Sequence, residues 1–366
     1  MLWSIPLLMG CLAGFVLFRT KTIPRDCVSA SHAEEGDNRK LSVIVPARNE
    51  EENLPHLLRS LSGQTRPPDE IIVVDDHSTD RTGETASGFA GVTVIANPPL
   101  PPGWTGKNWA VWNGYAQASG DLIVFLDADI RLAPTALAAL VEARDRAEGV
   151  VSVVPYHVTE KWHERLALVT NILGVFAFTS PWEARNPAQG LYGSCIIATR
   201  EHYEAVNGHE SIKSEVLDDL RLGGRFKAAG IPIANFIGAG LVSFRMYAQG
   251  IRSAIEGFGK SAVLSTSKLA FGTVALTAVW LIGLLVSEFF WAALGTSWAL
   301  PLAIGYGFYM LQMIYLVKYI GRFGIAILPL HLLSGLFFIV MMAYSAYQVT
   351  VLRRVKWKGR DIETGG

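Results

Sequence analysis

Long apolar runs at both ends of the chain limit its possible folds more than any other feature. Residues 2–18 carry no charge, and the last third of the sequence holds three further apolar runs with few charges. About 20 consecutive apolar residues cross the hydrocarbon core of a bilayer as a helix. The sequence therefore predicts transmembrane helices at both ends, with an anchor at residues 1–19 and a membrane region at residues 269–352. The C-terminal runs are residues 269–291, 298–317 and 324–352.

Basic residues follow the first apolar run and predict its orientation. Arg19 and Lys21 come directly after it, and basic residues favour the cytoplasmic side of a membrane protein. Three complete C-terminal spans would leave the basic segment 353–360 outside. We expect instead that the last run, which contains Pro329, begins with an interfacial or re-entrant piece. The predicted protein is multi-pass in the cell inner (plasma) membrane, with a cytoplasmic catalytic domain and a basic cytoplasmic tail at residues 353–366.

The overall charge and the cysteines exclude several classes of protein. Apolar residues make up 50% of the chain and charged residues 17%, and 32 basic residues balance 32 acidic ones. A chain without net charge has no strong field for a polyanion, so no nucleic-acid partner is expected. Cys11, Cys27 and Cys195 are scattered, and their spacing matches neither a disulfide framework nor a zinc site.

The middle of the chain alternates between strand and helix patterns. A polar linker at residues 20–40 is followed by short β-branched runs, and these are separated by segments with apolar residues at helical spacing. Such alternation predicts a mostly parallel α/β sheet. The predicted strands are residues 41–46, 70–76, 92–96 and 122–126, and the predicted helices are residues 50–61, 109–118 and 134–147.

Two of the predicted strands end in pairs of acidic residues. Asp75 and Asp76 end one strand, and Asp127 and Asp129 follow another. The carboxyl ends of parallel strands meet at one edge of an open sheet, where such folds bind ligands, so we expect these acids to face one ligand. Carboxylate oxygens without His or Cys favour Mg²⁺ or Mn²⁺ together with a phosphate. The alternative for the first pair is a capped turn.

The loop between these strands offers further candidates. Gly103 and Gly106 allow the backbone to approach a ligand, Lys107 offers its charge to a phosphate, and Asn113 can bond a base. The alternative is an ordinary loop with packed tryptophans. The sequence near this loop has no glycine run of the P-loop or dinucleotide-binding type, which disfavours a kinase or a dehydrogenase.

A third acid pair, Asp218-Asp219, lies within a helical apolar pattern. Acids at the start of a helix commonly interact only with its dipole. The alternative is a general base beside a hydroxyl group, which requires a carboxylate that is not occupied by a metal.

Several short segments occur in a distinctive order along the chain. They are Val45-Pro-Ala-Arg-Asn-Glu50, Val74-Asp-Asp76, Trp104-Thr-Gly-Lys107, Asp127-Ala-Asp129, Asp218-Asp219, Arg245-Met-Tyr247, Gly257-Phe-Gly-Lys260 and Trp357-Lys-Gly-Arg360. This order resembles the family 2 glycosyltransferases, over nearly the whole chain. The closest similarity is to a membrane-anchored bacterial group that includes hopanoid-associated and carotenoid (4,4'-diaponeurosporenoate-type) glycosyltransferases, with ceramide glucosyltransferases more distant. The resemblance implies a GT-A catalytic domain, Rossmann-like with a mostly parallel sheet, at residues 41–244.

The resemblance also implies roles for individual residues. Asp219 matches the catalytic base of inverting members, with Asp218 beside it. Asp127 and Asp129 match the acids that hold the metal and the diphosphate. The residues expected to bind the nucleotide sugar are Pro46, Ala47, Arg48, Glu50, Asp75, Asp76, Lys107, Asn113, Asp127, Arg245, Lys260, Trp357 and Arg360.

Two departures from the family pattern bear on the acceptor. Asp218 replaces the usual Glu of the acid pair, and Phe258 replaces the usual Trp of the Gly-aromatic-x-Lys motif. The first change is chemically mild. The second, together with the absence of a Gln-x-x-Arg-Trp motif from the sequence, argues against a processive polysaccharide synthase.

The predicted activity is an inverting, metal-dependent transfer of a sugar from a nucleotide sugar such as UDP-glucose to a lipid at the cytoplasmic face. A carotenoid, a hopanoid or another glycolipid precursor is the expected acceptor, and the sequence specifies no protein partner. Residues 245–268 form an amphipathic interfacial segment that either carries the lipid or packs beneath the catalytic domain. One alternative is a polyprenyl-phosphate glycosyltransferase, whose phosphate acceptor needs no base. Another is a membrane transport component with a nucleotide-binding domain.

Overall fold

The structure is a computed structural model that describes residues 4–24, 27, 38–186, 188–352, 354–357 and 360–363. The chain forms two compact units. The first unit comprises Met1–Thr20, His157–Asn186 and Met246–Gly366, and the second comprises Lys21–Tyr156 and Pro187–Arg245.

The helices and strands are numbered in chain order. The α-helices are α1 (Ser4–Leu17), α2 (Leu54–Ser62), α3 (Thr82–Ser87), α4 (Gly106–Gln117), α5 (Ala136–Ala147), α6 (Trp162–Arg165), α7 (Leu168–Thr179), α8 (Arg200–Ala205), α9 (Asp218–Ala228), α10 (Ile251–Thr266), α11 (Phe271–Ser287), α12 (Ala299–Ile320) and α13 (His331–Tyr347). The strands are β1 (Leu41–Ala47), β2 (Glu70–Asp75), β3 (Val92–Ala96), β4 (Leu122–Leu126), β5 (Ile130–Leu132), β6 (Val150–Val154), β7 (Tyr156–Val158), β8 (Cys195–Thr199), β9 (Ile233–Ile237), β10 (Val242–Phe244), β11 (Gly321–Arg322), β12 (Arg354–Trp357) and β13 (Arg360–Glu363).

The second unit is built on a sheet of seven of the described strands, in the order β3-β2-β1-β4-β8-β6-β9. Its strands are parallel from β3 through β4 and between β6 and β9, whereas β8 runs antiparallel to both of its neighbours. Val43, Ile44 and Val45 of β1 are all 0% exposed, as expected for a strand that is covered on both faces. The prediction of a mostly parallel α/β sheet is confirmed, and its four predicted strands correspond to β1, β2, β3 and β4.

The predicted helices of this unit are also present, with shifted ends. Residues 50–61, 109–118 and 134–147 correspond to α2, α4 and α5. Helix α4 begins three residues early because the Thr105 side chain caps it by accepting a hydrogen bond from the Asn108 N–H. Val111 and Tyr115 of α4 join the same apolar core as Phe125 of β4 and Phe226 of α9.

A small antiparallel pair lies beside the end of β4. In it, β5 pairs with β10, and Phe244 is opposite Ile130. By this register Arg245 follows β10 at the level of Asp129, which precedes β5.

The first unit consists mainly of apolar helices. Among the described residues, three helical segments are long and apolar enough to cross a membrane: Phe271–Ala293, Ala299–Ile320 and His331–Leu352. The N-terminal helix α1 is shorter, with 14 residues, or about 21 Å. Its Phe18 end packs against the Trp280 ring of α11 and the Phe176 ring of α7, at 5.0 and 4.8 Å between ring centroids. Helix α7 belongs to this unit, although the sequence places residues 168–179 within the predicted catalytic domain, because it is itself apolar and packs among these helices.

The last apolar run begins with a return that contains β11 and a 3-10 turn at Ile325–Ile327. Helix α12 ends at Ile320, yet the His331 ring at the start of α13 lies 5.1 Å from the Tyr306 ring and 2.7 Å from a Glu288 oxygen. Tyr306 precedes Ile320 by 14 residues of α12, about 21 Å of helix. Residues 321–330 therefore run back along α12 before α13 starts. The interfacial or re-entrant placement of this piece in a membrane stays a prediction.

The predicted amphipathic segment forms α10, which packs against α13. The Val263 N–H donates to Ser345 Oγ at 3.2 Å. The Tyr247 ring occupies the place that a Cβ at Gly257 would take, at 2.1 Å from its nearest ring atom, so glycine is required there. One face of α10 is thus a packing surface within the first unit, and both predicted roles of this segment stay predictions. Part of the predicted basic tail pairs as a hairpin of β12 and β13.

Candidate active site

The carboxyl ends of β1, β2 and β4 lie at one edge of the sheet, as their parallel pairing requires. Pro46 pairs with Val74, and Ala47 pairs with Asp75. Asp127 directly follows β4, and its N–H donates to the Ser194 carbonyl at 3.0 Å. The sheet therefore places the predicted nucleotide-binding and metal-binding acids along the same edge.

Lys107 lies between acids of two motifs. Its Nζ is 3.0 Å from Asp127 Oδ1 and 3.5 Å from Asp218 Oδ2. Burial opposes the charged form, but Asp127, Asp218 and Asp219 together raise the pKa of Lys107 above its usual value. One ammonium group therefore faces three carboxylates.

Hydrogen bonds at the start of α4 position Lys107. The buried Asn108 amide donates to the carbonyls of Ile212, Lys213 and Glu215 at 2.9, 3.3 and 3.2 Å. The Thr105 N–H also donates to the Lys213 carbonyl at 2.8 Å. These bonds tie the first turn of α4 to the segment that leads into the third acid pair.

Asp219 is held by backbone donors. The Gly193 N–H donates to Asp219 Oδ2 at 3.0 Å, and the Leu220 N–H donates to Oδ1 at 2.8 Å. Burial, and then the neighbouring Asp218, raise the pKa of Asp219 to about 6, although Lys107 and the two hydrogen bonds act against this rise. A carboxyl group with that pKa accepts a proton readily near neutral pH.

A second polar group surrounds Asp76, which is 5% exposed. The Asn97 amide donates to Asp76 Oδ1 at 2.9 Å, and the Asn113 amide donates to the Asn97 side-chain oxygen at 3.0 Å. Arg48 donates to the Asp76 carbonyl at 2.6 Å. This chain of amides and one carboxylate offers donors and acceptors of the kind that recognise a base.

The neighbouring predicted residues take part in local structure. Asp75 Oδ1 accepts from the Ser78 N–H at 3.0 Å, as in the capped-turn alternative. Glu50 accepts from the Asn53 amide at 2.7 Å. Ala47 is buried at the end of β1.

The acids at the end of β4 fit a divalent cation. Asp127 already holds a cationic group, since the Lys107 ammonium is 3.0 Å away, and its donor atoms are oxygens. Within the described ranges, no group of three or more His, Cys, Asp or Glu could hold a metal ion. Two carboxylates completed by phosphate oxygens are the usual protein contribution to a Mg²⁺ site. Asp127 and Asp129 fit this pattern.

A cleft joins most of these groups. It encloses about 10 Å³, roughly the space of one water molecule. The cleft is lined by Pro46, Lys107, Val111, Phe125, Leu126, Asp127, Gly193, Ile196, His209, Asp218 and Asp219.

Sequence reasoning missed three residues of this region. Asn97 follows β3 at the same sheet edge, so the rule used for the acids could have found it. Tyr192 lies near the acids, and burial followed by Asp129, Asp219 and Asp127 raises its pKa. His209 lines the cleft. Neither Tyr192 nor His209 follows one of the predicted strands, so the pattern did not indicate them.

The structure leaves part of the predicted site untested. Arg245 is placed by register at the level of Asp129. Lys260 lies in α10 of the first unit, and Trp357 pairs with Arg360 in the terminal hairpin. The side chains of these last three residues lie outside the described part of the chain, so their donor contacts stay predictions.

Comparison with known proteins places this geometry among glycosyltransferases. The model of the family "Glycosyl transferase family 2" matches residues 42–205. The chain is 32% identical to a 4,4'-diaponeurosporenoate glycosyltransferase of Staphylococcus haemolyticus, over 96% of each protein. It is 31% identical to a protein of the same name from Staphylococcus aureus, over 89% of this chain and 88% of that relative.

A solved structure has a similar fold. It is a mannosyltransferase of Pyrobaculum calidifontis in complex with GDP-Man and Mn²⁺, and it superposes with a TM-score of 0.55 over 94% of each chain at 19% identity. At this identity the similarity concerns the fold alone. The shared fold agrees with the GT-A prediction.

Proposed function

The chain belongs to the family 2 glycosyltransferases, and from this premise we propose that it transfers a sugar from a nucleotide sugar to a membrane lipid of the carotenoid class. The observation that carries the proposal is the cleft at the end of β4, where Lys107 faces three carboxylates. Such a concentration of acids suits a metal-bound diphosphate and a proton acceptor side by side. The relatives named 4,4'-diaponeurosporenoate glycosyltransferase support the acceptor class.

The proposed donor is a UDP-sugar such as UDP-glucose. The group around Asp76 provides the Asn97 and Asn113 amides for a base. Asp127 and Asp129 would hold Mg²⁺ or Mn²⁺, which when bound takes up negative charge on the departing diphosphate. Lys107 supplies a second positive charge from the protein itself. Preorganised charges of this kind are usually the largest single contribution to catalysis.

Asp219 is the proposed base for a hydroxyl acceptor. Its two oxygens each accept one backbone N–H bond, which fixes the plane of the carboxylate and leaves lone pairs for a proton. The acceptor oxygen attacks the anomeric carbon as the bond to the diphosphate breaks, and Asp219 takes the hydroxyl proton. A single displacement inverts the anomeric configuration, and NMR of the product checks this directly. Retention of configuration contradicts the assignment.

A carboxylate acceptor is a second candidate, and the names of the relatives favour it, since diaponeurosporenoate is the anion of an acid. A carboxylate is already ionised at neutral pH, so it attacks without losing a proton. The same holds for a polyprenyl phosphate. A hydroxyl acceptor thus needs Asp219 as a base, whereas a carboxylate or a phosphate acceptor does not.

The apolar helices support a membrane location for the acceptor. We propose that residues after α1 face the cytoplasm, because Arg19 and Lys21 follow that helix, and that α13 returns the chain to the same side. The return at residues 321–330 supports this arrangement. Single cysteines at exposed Thr296 and Ser62 of a cysteine-free variant test it. Only the Ser62 position should react with an impermeant reagent in inverted vesicles, and equal labelling contradicts the proposal.

The activity is tested with membranes that contain the full chain. Radiolabelled UDP-glucose, other UDP-hexoses and GDP-mannose are supplied with Mn²⁺, together with a carotenoid acid, a carotenoid alcohol or a polyprenyl phosphate. We expect one labelled lipid with one donor, and loss of label when EDTA removes the cation. Membranes with the Asp127→Asn variant serve as the control. The absence of a labelled lipid with every donor and acceptor would overturn the proposed function.

A further inference from the structure

Two polar side chains are buried within the sheet, on the neighbouring strands β6 and β9. Ser152 is 0% exposed and Asn235 is 2% exposed, and the two residues are directly paired in the parallel register of their strands. The Ser152 hydroxyl donates to the Asn235 side-chain oxygen at 2.7 Å. Burying a polar group costs free energy unless it is hydrogen-bonded, so the other partners of this pair indicate what it does.

Both side chains also bond to the backbone of residues 190–193, which lie just before β8. The Tyr192 N–H donates to Ser152 Oγ at 3.0 Å, and the Asn235 amide donates to the Gly190 carbonyl at 3.0 Å. The serine hydroxyl therefore donates and accepts at the same time, and the asparagine uses both its oxygen and its nitrogen. Together they fix one donor and one acceptor of this segment from the side of the sheet.

The same segment meets α9 at Asp219. The Leu191 N–H donates to the Asp219 carbonyl at 3.2 Å, and the Gly193 N–H donates to Asp219 Oδ2 at 3.0 Å. A Cβ at Gly190 would come 2.1 Å from the Leu220 side chain and 2.8 Å from Leu220 Cα. Glycine is thus required for this close approach. The segment is therefore bonded to the sheet through its residue 192 and to Asp219 through residues 191 and 193.

Of the two bonds to the Asp219 carboxylate, one comes from another part of the chain. Oδ1 accepts from the Leu220 N–H, which belongs to the same helix, whereas Oδ2 accepts from Gly193. The residue after Gly193 also contacts the proposed metal site, because the Ser194 carbonyl accepts from the Asp127 N–H at 3.0 Å. A displacement of residues 190–193 would therefore release the Asp219 carboxylate on one side.

We propose that Ser152 and Asn235 are positioning residues, which fix residues 190–193 so that the Gly193 N–H stays bonded to Asp219 Oδ2. Neither of them is among the residues that line the cleft, so they act through this segment. The consequence for catalysis rests on the proposed role of Asp219 as the base. A base must lie within hydrogen-bond reach of the proton that it accepts, so the orientation of this carboxylate affects kcat more than the binding of the donor.

Isosteric replacements at residue 152 separate the hydroxyl group from the effects of packing. Threonine and valine have the same shape and add the same methyl group, but only threonine keeps a hydroxyl for Tyr192 and Asn235. We expect kcat of Ser152→Val to be about tenfold below that of Ser152→Thr, as for the loss of one buried hydrogen bond. The donor KM of the two variants should agree within about twofold. Asn235→Leu should lower kcat about as much as Ser152→Val.

Ser42 provides a matched control at the opposite edge of the sheet. It is also 0% exposed, and its hydroxyl accepts from the Gly120 N–H at 2.8 Å and donates to Glu70. Ser42→Val should therefore lower the free energy of unfolding relative to Ser42→Thr, as the same pair does at residue 152, while kcat stays unchanged. An equal loss of kcat in Ser42→Val and Ser152→Val would mean that both hydroxyls act through stability alone, and would overturn the positioning role.

An amide NMR signal tests the contact without any turnover. The full chain in detergent is labelled with ¹³C at the tyrosine carbonyls and with ¹⁵N at glycine. In the sequence only Gly193 and Gly307 follow a tyrosine, so two signals are expected, and Gly307→Ala identifies the second. The Gly193 proton should lie downfield, as for an N–H bonded to a carboxylate, and Asp219→Ala should move it upfield. Ser152→Val should move it in the same direction, and Ser152→Thr should leave it near its wild-type position.

The outcomes separate this proposal from the proposed function. The same Gly193 signal in Ser152→Val and Ser152→Thr overturns the proposal. Equal kcat in these two variants, with Asp219→Asn impaired, overturns it as well. If the NMR shifts appear as expected but Asp219→Asn turns over normally, the base role in the proposed function is wrong, and the positioning of the carboxylate by Ser152 and Asn235 stands.

Discussion

Both units of this protein contain carboxylates that are partly or fully buried, but these carboxylates have different partners. In the second unit, the Lys107 ammonium lies 3.0 Å from Asp127 and 3.5 Å from Asp218, and the charge of Asp219 also acts on it. In the first unit, Glu183 is 3% exposed and accepts from the Thr273 hydroxyl at 2.6 Å and the Ala270 N–H at 2.9 Å.

The apolar unit satisfies Glu183 with a hydroxyl and a backbone N–H, whereas the cleft gathers several acids around one lysine. Placing several carboxylates close together costs free energy, so a cluster of this kind marks a place where a cationic ligand can bind. Glu183, by contrast, meets the unpaired N–H group at the start of α11 and is a structural acid. The partners of a carboxylate thus distinguish a ligand-binding acid from a structural one. Its burial alone does not make this distinction.

Replacement of the proposed base should give the largest effect. Asp219→Asn keeps the size of the side chain but removes its capacity to accept a proton. With a hydroxyl acceptor we expect kcat to fall by about 10²–10⁴-fold, measured as labelled lipid formed per minute. Asp69→Asn, before β2 at the opposite edge of the sheet, is the matched control. Near-normal turnover of Asp219→Asn would instead identify a carboxylate or a phosphate as the acceptor.

Removal of the acid beside Lys107 should have the next largest effect. Asp127→Asn removes one negative charge and a proposed metal ligand, so kcat should fall by about 10²–10³-fold. Titration with Mn²⁺ in the presence of UDP, followed by the EPR signal of the free ion, should show weaker metal binding. Unchanged Mn²⁺ affinity would mean that this acid does not hold the metal.

Low pH should protonate Asp219 and so reduce the negative charge of the cleft. Because the pKa of Asp219 is about 6, the carboxylate is ionised above that value and protonated below it. With a hydroxyl acceptor, kcat should fall as pH drops through 6 and reach about a tenth of its plateau at pH 5. A profile measured from pH 4.5 to 8 that stays flat to pH 5 contradicts the base assignment.

Removal of the Lys107 ammonium should make the cleft more negative. In Lys107→Met, Mn²⁺ no longer competes with an ammonium group 3.0 Å from Asp127. We expect Mn²⁺ alone, without nucleotide, to bind about tenfold more tightly, by the same EPR titration. Lys40→Met, ahead of β1, should bind as the wild type does. Weaker binding in Lys107→Met would show that this lysine supports the metal site instead of competing with it.

Replacement of Glu183, the structural acid of the first unit, should have the smallest effect on stability and activity. Glu183→Gln keeps an oxygen that accepts from Thr273 but loses the charge at the start of α11. We expect a loss of about 1 kcal/mol in the free energy of unfolding, measured by denaturant titration in detergent, and an unchanged kcat. Glu142→Gln, in an exposed pair with Arg146, should change stability by less than about 0.5 kcal/mol. A loss of kcat in Glu183→Gln without a loss of stability would break the distinction between the two kinds of acid.

Most of the fold was predictable because its signals are local. The β-branched runs that became β1, β2, β3 and β4 read as strands from their own residues, and their shared direction followed from the helices between them. The Asp127-Ala-Asp129 motif could be placed at a sheet edge for the same reason. The antiparallel β8 could not be assigned to the middle of the sheet, because its partners are distant in sequence and strand order is set by packing.

Within the site, the adjacent residues Asp75 and Asp76 have different hydrogen-bond partners. Asp75 and Asp76 read as one pair, yet Asp75 accepts from the Ser78 N–H and Asp76 accepts from Asn97. Successive side chains of a strand point to opposite faces, so the pattern predicted two acids at the edge without telling which faces the ligand.

The sequence by itself determined the apolar composition of the ends, the α/β sheet between them and the order of the acidic motifs. Each of these depends on length, period or spacing along the chain. The tertiary structure decided that Lys107 lies between Asp127 and Asp218, that Ser152 and Asn235 bond to residues 190–193 beside Asp219, and that residues 321–330 return along α12. These arrangements join residues that are far apart in sequence, and only the packing of whole helices and strands brings their side chains within bonding distance.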